Sequence, residues 1–275
     1  MPGTLRFISP QDGWLLGEST MLVTRDGGAT WAVDDQLHDV MALEAVDESV
    51  WAIEGHCESH DQCSRVFLVS DDFGHTWQPA PTQPVLPGYG ARLVRAGLQD
   101  AWISTGGGEL PKYLFGTHDG GTTWHELTVP CQNWNTQLAA VDASHLWFLC
   151  GSLPGGRTEL KWLYASADGG TEWQLVRETG RGGLADLGNL PTVGHWVSFV
   201  ATSPTRAFVG LYGDSLLVTT DGGQTWDCAV VPDGPDSELG ILQVVFADEQ
   251  HGWATTSTAL WRTRDGGDSW ERLAP

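Results

Sequence analysis

The stretch TTDGGQTW, residues 219–226, sets a hydroxyl residue, an aspartate, a Gly-Gly pair and a tryptophan at fixed offsets. Taken alone, Asp221 suits a metal loop, a sugar-binding turn or a structural staple. The rest of the chain decides between them, because the stretch occurs six times: TRDGGATW (24–31), SDDFGHTW (70–77), THDGGTTW (117–124), SADGGTEW (166–173), TTDGGQTW and TRDGGDSW (263–270). The aspartates are Asp26, Asp72, Asp119, Asp168, Asp221 and Asp265, so the steps are 46, 47, 49, 53 and 44 residues. A period of this length without helical spacing predicts four-stranded propeller blades.

A second signal keeps the same period. Ahead of each box lies a short apolar segment that carries an aromatic residue at a matching place: Trp14, Trp51, Trp102, Trp147, Phe208 and Trp253. Its five tryptophans and the six box tryptophans (Trp31, Trp77, Trp124, Trp173, Trp226 and Trp270) make eleven of the fifteen in the chain, so the tryptophan excess is mostly architectural. Each unit reads as strand A before the first aromatic, strand B carrying it, strand C running into the box, and strand D starting at the box tryptophan. The expected fold is all-β, a six-bladed propeller filling residues 1–275 as one domain. The blades are placed near 4–35, 38–80, 91–129, 137–177, 196–231 and 240–275. Residues 178–194 are Gly-broken and read as a loop. The first unit opens with its own inner strand, so the ring is expected to close by packing blade 1 on blade 6, without a swapped strand.

Asp-Gly-Gly between apolar runs is a hairpin signal. The glycines allow positive φ, and the carboxylate and hydroxyls can hold the turn's N–H groups. Calcium is the rival, but an EF-hand-like loop needs several oxygen ligands in twelve residues. Each box repeats one aspartate and then a tryptophan, so the staple is preferred and no metal is expected. Asp221→Ala should then cost stability and leave ligand affinity nearly intact.

The pattern [ST]-x-D-x-G-x-[ST]-W, kept in every box except for Glu172 in the fourth, resembles the Asp-box or BNR family. The chain is similar over nearly its whole length to YVTN/BNR-like repeats and to propellers of the photosystem II assembly factor type. That resemblance implies the propeller fold and a protein-binding, chaperone-like role. Asp-boxes also occur in sialidases, sortilin-type receptors and xyloglucan hydrolases. The sialidase resemblance would require a Phe-Arg-Ile-Pro motif, of which residues 5–8 (LRFI) are only an echo. Xyloglucan hydrolases of this kind use two propellers with a cleft between them, where this chain has one.

Composition narrows the partners. With 14 basic and 35 acidic residues the formal charge is −21, a field that opposes nucleic acid and anionic membranes. No apolar run is long enough to span a bilayer, and the first residues do not read as a signal peptide. Cys57 and Cys63 flank a polar stretch and suit a local disulfide; with His56 and His60 they could instead hold zinc. A disulfide there would favour an extracytoplasmic or secreted setting. Cys150 and Cys228 read as buried small hydrophobes, and a Cys131–Cys150 bridge is one open pairing.

In a propeller the B–C loops and D–A connections share one face, and here they are the parts that vary between units. Rigid scaffolds carry binding residues on such loops. Tyr89, Lys112, Asn133, Trp134, Asn135, Arg157, Arg181, His195, Trp196, Tyr212 and Glu238 are therefore the candidate ligand contacts. Arg92 and Arg95 sit at odd spacing in an inner strand, so they cannot share a strand face, and one of them can line the channel. The preferred function is a non-enzymatic binding or assembly scaffold, expected to be a monomer without cofactor, whose partner is a protein or a glycan. The alternative is a glycoside hydrolase or lyase with paired carboxylates at the channel mouth.

Overall fold

The computed structural model describes residues 4–16, 21–59, 62–156, 158–179, 189–212, 216–229, 241–256 and 259–273. Among them every helix-length or extended element is a strand, and the strands form six four-stranded antiparallel sheets. Blade 1 holds β1 (Thr4–Phe7), β2 (Gly13–Leu16), β3 (Met21–Thr24) and β4 (Ala32–Asp34). Blade 2 holds β5 (Val40–Val46), β6 (Ser49–Ser59), β7 (Gln62–Ser70) and β8 (Gln78–Pro79). Blade 3 holds β9 (Arg92–Arg95), β10 (Ala101–Thr105), β11 (Tyr113–Thr117) and β12 (His125–Leu127). Blade 4 holds β13 (Asn135–Ala140), β14 (Leu146–Gly151), β15 (Lys161–Ser166) and β16 (Gln174–Glu178). Blade 5 holds β17 (Trp196–Ala201), β18 (Ala207–Leu211), β19 (Leu216–Thr219) and β20 (Asp227–Ala229). Blade 6 holds β21 (Gln243–Phe246), β22 (Gly252–Thr255), β23 (Leu260–Thr263) and β24 (Glu271–Leu273).

The strands differ in sequence because they differ in surroundings. Second strands lie between two neighbouring blades, so both faces are covered, and β14 and β18 are buried at every position. Such strands read as unbroken apolar runs rather than as alternation. Fourth strands form the rim; β4, β12 and β20 are short and mostly exposed, which limits edge-to-edge pairing. First strands surround the axis, with β5 against β9, β9 against β13, β13 against β17, β17 against β21 and β21 against β1.

Six apolar clusters fill the six joints between blades, and each is built to one rule. The strand-B aromatic of one blade meets the box tryptophan of the next: Trp14 with Trp77, Trp51 with Trp124, Trp102 with Trp173, Trp147 with Trp226, Phe208 with Trp270, and Trp253 with Trp31. The same aromatic lies under the glycine turn of the next box. Trp102 Nε1 donates to Gly169 O at 2.9 Å and Trp253 Nε1 to Gly27 O at 3.3 Å. A Cβ on Gly267 would come within 2.9 Å of the Phe208 ring, and Gly267 also has φ 93°. Glycine is thus required there for space as well as for backbone conformation. In the second box Phe73 stands in the first glycine position and still adopts φ 58°, a conformation costly for a bulky side chain.

The ring closes without strand exchange, as the sequence predicts, since β1 pairs with β2 and the sixth sheet runs β21 to β24. Side chains stitch the first strands together. Leu5 N–H donates to Gln243 Oε1 at 2.7 Å and Gln243 Nε2 donates back to Leu5 O at 3.0 Å. Gln137 Nε2 donates to Phe199 O at 2.8 Å, and the Ser198 hydroxyl both donates to Val244 O and accepts its N–H.

Within each box one carboxylate closes the turn. In the fifth box Asp221 Oδ1 accepts the Thr219 hydroxyl and the Thr225 N–H, both at 2.9 Å, and Oδ2 accepts the Thr225 hydroxyl at 2.6 Å. The Thr219 hydroxyl oxygen in turn accepts the Gly223 N–H. Bonds to the charged form hold Asp26, Asp72, Asp119, Asp221 and Asp265 down at about 2, the hydroxyl after the turn contributing most. In the fourth box Glu172 supplies no such hydroxyl, and the backbone N–H of Glu172 is the leading cause of the lowered Asp168.

A folded-state value below the ordinary 3.8 means that these carboxylates stabilise the fold above that pH and lose their contribution as pH falls toward about 2. Relief of the overall negative charge acts in the opposite direction, so the comparison must isolate one box. The stability deficit of Asp221→Asn, measured by urea unfolding, is expected to be full near neutrality and to vanish near pH 2. A deficit that persists unchanged into acid would contradict this assignment.

Two disulfides are present. Cys57 and Cys63 face each other across the extended β6–β7 hairpin rather than flanking an irregular loop, and Cys131 is bonded to Cys150. Cys150 is buried as expected, but Cys228 is exposed. The reason is position: it lies in the outer strand β20, whose residues next to the box tryptophan face solvent.

Candidate functional site: the loop face and the central channel

Antiparallel meanders place the B–C loops and D–A connections at one end of every blade. The connections there are organised by buried or half-buried cations at the start of third strands. Arg65 donates to Leu86 O, Gly88 O and Gly90 O, at 2.6, 2.6 and 3.0 Å. Lys161 Nζ is wholly buried and donates to Glu159 O, Pro191 O and Gly194 O, at 3.1, 2.9 and 2.8 Å. Lys112 Nζ donates to Gly108 O, while its backbone N–H and C=O pair with the Gln132 amide. Burial lowers all three, Lys161 to about 8. Glu159 lies beside Lys161, and Trp196 N–H donates to its Oε2 at 2.9 Å; burial raises its pKa, opposed by that bond and by the Lys161 charge.

The sequence-predicted contacts separate into two groups against this frame. Lys112, 5% exposed, is a hub of the loop face whose ammonium is spent on the Gly108 carbonyl. Trp196, 3% exposed, belongs to the core between blades 4 and 5. Both are loop-end residues whose burial local sequence could not announce. His195 is half-buried, and its carbonyl accepts the Tyr212 N–H at 2.7 Å. Asn133 is half-buried in the connection between blades 3 and 4, and Asn135 opens β13 beside Glu159, whose charged form it favours. Tyr89, Trp134 and Tyr212 remain exposed on the loop face, at 48, 39 and 46%. Trp134 lies over Gly108, whose N–H donates to Trp134 O at 3.1 Å. Arg157, Arg181 and Glu238 fall outside the described residues.

The axis of the ring is a cavity of about 640 Å³, joined at the mouth beside Tyr89 by another of about 400 Å³. Its two halves differ. Blades 1 to 3 contribute Arg6, Glu44, Arg92 and Arg95, while blades 4 to 6 contribute mostly apolar positions such as Leu138, Val197 and Val244. Arg6 Nε pairs with Glu44 Oε1 at 2.8 Å. Arg95 turns toward blade 2, donating to Ser49 O at 2.8 Å and lying 3.9 Å over the Trp51 ring. Burial brings Arg95 to about 10, with Glu44 acting against that shift. Arg92 points from the opposite strand face, as odd spacing requires, and has neither a hydrogen-bond nor an ion-pair partner among the described residues. Arg92 stays accessible to solvent within the channel; the strands packed around it, and then the charge of Arg6, push its pKa down.

Sequence reasoning missed Arg6 and Glu44. The available signal was a charged residue inside an otherwise apolar first strand, as in TLRF and VMALEAV. Glu44 is the one carboxylate among the described residues lining the cavity, and it is ion-paired.

A family model described as Photosynthesis system II assembly factor YCF48 matches residues 2–132. The photosystem II assembly lipoprotein Ycf48 of Synechococcus sp. (strain CC9902) is 23% identical over 280 residues, covering 98% of this chain and 74% of that protein. Photosystem II stability/assembly factor HCF136 of Arabidopsis thaliana is 29% identical over 79 residues, which span 28% of this chain and 20% of that protein. Among solved structures, YCF48 bound to D1 peptide superposes with a TM-score of 0.58 at 20% identity, over 98% of this chain and 82% of that one. The GH74 xyloglucanase from Xanthomonas campestris reaches 0.58 at 13% identity, over 95% of this chain and 45% of that one. These structural likenesses concern the fold, which two unlike functions share. With its six boxes, its closed ring and these relatives, the chain is a BNR-type, photosystem II assembly factor-like β-propeller.

Proposed function

We propose that this protein is a non-catalytic scaffold that takes an extended segment of a partner protein across its loop face, as an assembly factor does. The observation that carries the reading is the placement of Tyr89, Trp134 and Tyr212: three exposed aromatic side chains on one face of a rigid disc, beside the mouth of a cationic channel. Large amphipathic rings of this kind are the usual anchors of protein interfaces. The YCF48 structure with a bound D1 peptide and the assembly-factor relatives support the same class of partner. Hydrolysis of a glycoside needs two carboxylates across a substrate; among the described residues that line the cavity Glu44 is the one carboxylate, and its pairing with Arg6 supports binding instead. Two disulfides suit an oxidising compartment. The disc carries its own closed ring, consistent with a monomer.

Fluorescence anisotropy against D1-derived and unrelated peptides, beside a glycan array, tests the reading. Saturable peptide binding is expected, weakened about tenfold or more by Trp134→Ala or Tyr212→Ala and unchanged by Arg25→Gln on the opposite face. Binding to sugars with none to peptides would overturn it.

A further inference from the structure

We propose that the central channel is a binding site for a monocarboxylate carried on an apolar body, with Arg92 as the group that grips it. The chain holds only 14 basic residues against 35 acidic ones, yet three of the fourteen border one cavity, with a single carboxylate among the described lining residues. Two of the three are already engaged, Arg6 by Glu44 and Arg95 by Ser49 and Trp51. Arg92 alone has no acceptor among the described residues, and it is held where the charge of Arg6 acts on it. A guanidinium that solvent reaches through the channel, beside a like charge and with no protein acceptor among the described residues, is open to an incoming anion.

The cavity's shape and lining set the rest of the ligand. A planar guanidinium fits a carboxylate through two parallel bonds. The opposite wall, from blades 4 to 6, is apolar and suits a hydrocarbon or small side chains. About 640 Å³ lies within the range of ordinary small-ligand pockets, ~300–1,000 Å³. The −21 field of the whole protein repels polyanions from the mouth, which favours a ligand of one negative charge. Such a carboxylate has two sources, a free short-chain acid or the end of a polypeptide, and both present the same group to Arg92. This proposal is independent of the loop-face reading, which rests on Trp134 and Tyr212.

Calorimetry of the full chain with hexanoate, and with a capped Ala-Leu-Ala peptide as free acid and as C-terminal amide, tests it. The acid forms should bind saturably up to millimolar concentration, and the amide about tenfold more weakly or worse. Arg92→Gln should abolish the difference between acid and amide, and Arg92→Lys should retain only part of it. Thermal melting of both variants without ligand should be no lower than that of the parent, because a like-charge contact is removed or kept and no bond is lost. Binding of hexanoate alone assigns the site to free acids, and binding of the peptide acid alone assigns it to chain ends. Equal affinity for acid and amide, binding that survives Arg92→Gln, or no binding of either probe overturns the proposal. Loss of partner-peptide binding in Trp134→Ala, with hexanoate binding intact, separates this site from the loop face.

Discussion

Trp253→Ala is expected to destabilise the fold by about 3–5 kcal/mol, among the largest effects any single side chain can have here. Trp253 is fully buried, stacks on Phe7 with ring centroids 3.6 Å apart, and donates to Gly27 O. Its cluster includes Leu5, Phe7 and Val245, contributed by the first strands of blades 1 and 6. Truncation therefore removes a large apolar surface and leaves a cavity that two rigid sheets cannot close. It also strands a carbonyl that the indole N–H had satisfied. This joint is the one that no backbone connection crosses, so the loss should appear in local opening as well as in global stability. Urea unfolding measures the global loss, and amide exchange in β1 and β21 measures the local opening. Trp147→Ala, at a joint bridged by the chain, should match it in global stability but not in local opening. An unfolding midpoint within experimental scatter of the parent would contradict the assignment.

Lys161→Ala is expected to cost a comparable amount, about 3–5 kcal/mol. Its ammonium is buried beside Glu159 and satisfies three carbonyls, two of them from the connection at residues 191 and 194. Removing it leaves those carbonyls without their donor and Glu159 as a buried charge that has lost its nearest countercharge and keeps the Trp196 N–H. A double-mutant cycle separates the two losses. Glu159→Gln should destabilise the parent, because Trp196 N–H and Lys161 both face the charged carboxylate. In the Lys161→Ala background the same change should be neutral or stabilising. Additive costs in the cycle, read as urea midpoints at constant m, would mean the two side chains act separately.

The parts of the fold legible in the sequence were those written once per unit. The box and the strand-B aromatic recur at the same period, and six strong copies outweigh the ambiguity of any one. The pairing between them was harder to read, because it joins a residue in one unit to the turn in the following unit. Nothing in a single blade shows that Trp51 belongs under Gly121. The loop face was legible as a region but not residue by residue. Lys112 and Trp196 look like binding residues because they are polar or aromatic and sit at loop ends, and only packing shows that the first ties a connection and the second fills a core. Cys228 fails for a related reason: apolar chemistry suggested burial, whereas its strand forms the rim. In the channel, alternation separates Arg92 from Arg95, yet both border the cavity where one was expected, while Arg6 and Glu44 became visible only when two blades were set side by side.

The rule that links each strand-B aromatic to the next glycine turn has a bearing on how such a chain can change its length. Every unit carries one plug and one socket, and neither is specific to its neighbour: Phe208 serves where five tryptophans serve elsewhere. A blade copied or lost through unequal recombination would present the same plug and socket to whichever blade it met. Repeat number is then free to drift among relatives while the joint stays fixed, and the variation is left to the connections on the loop face.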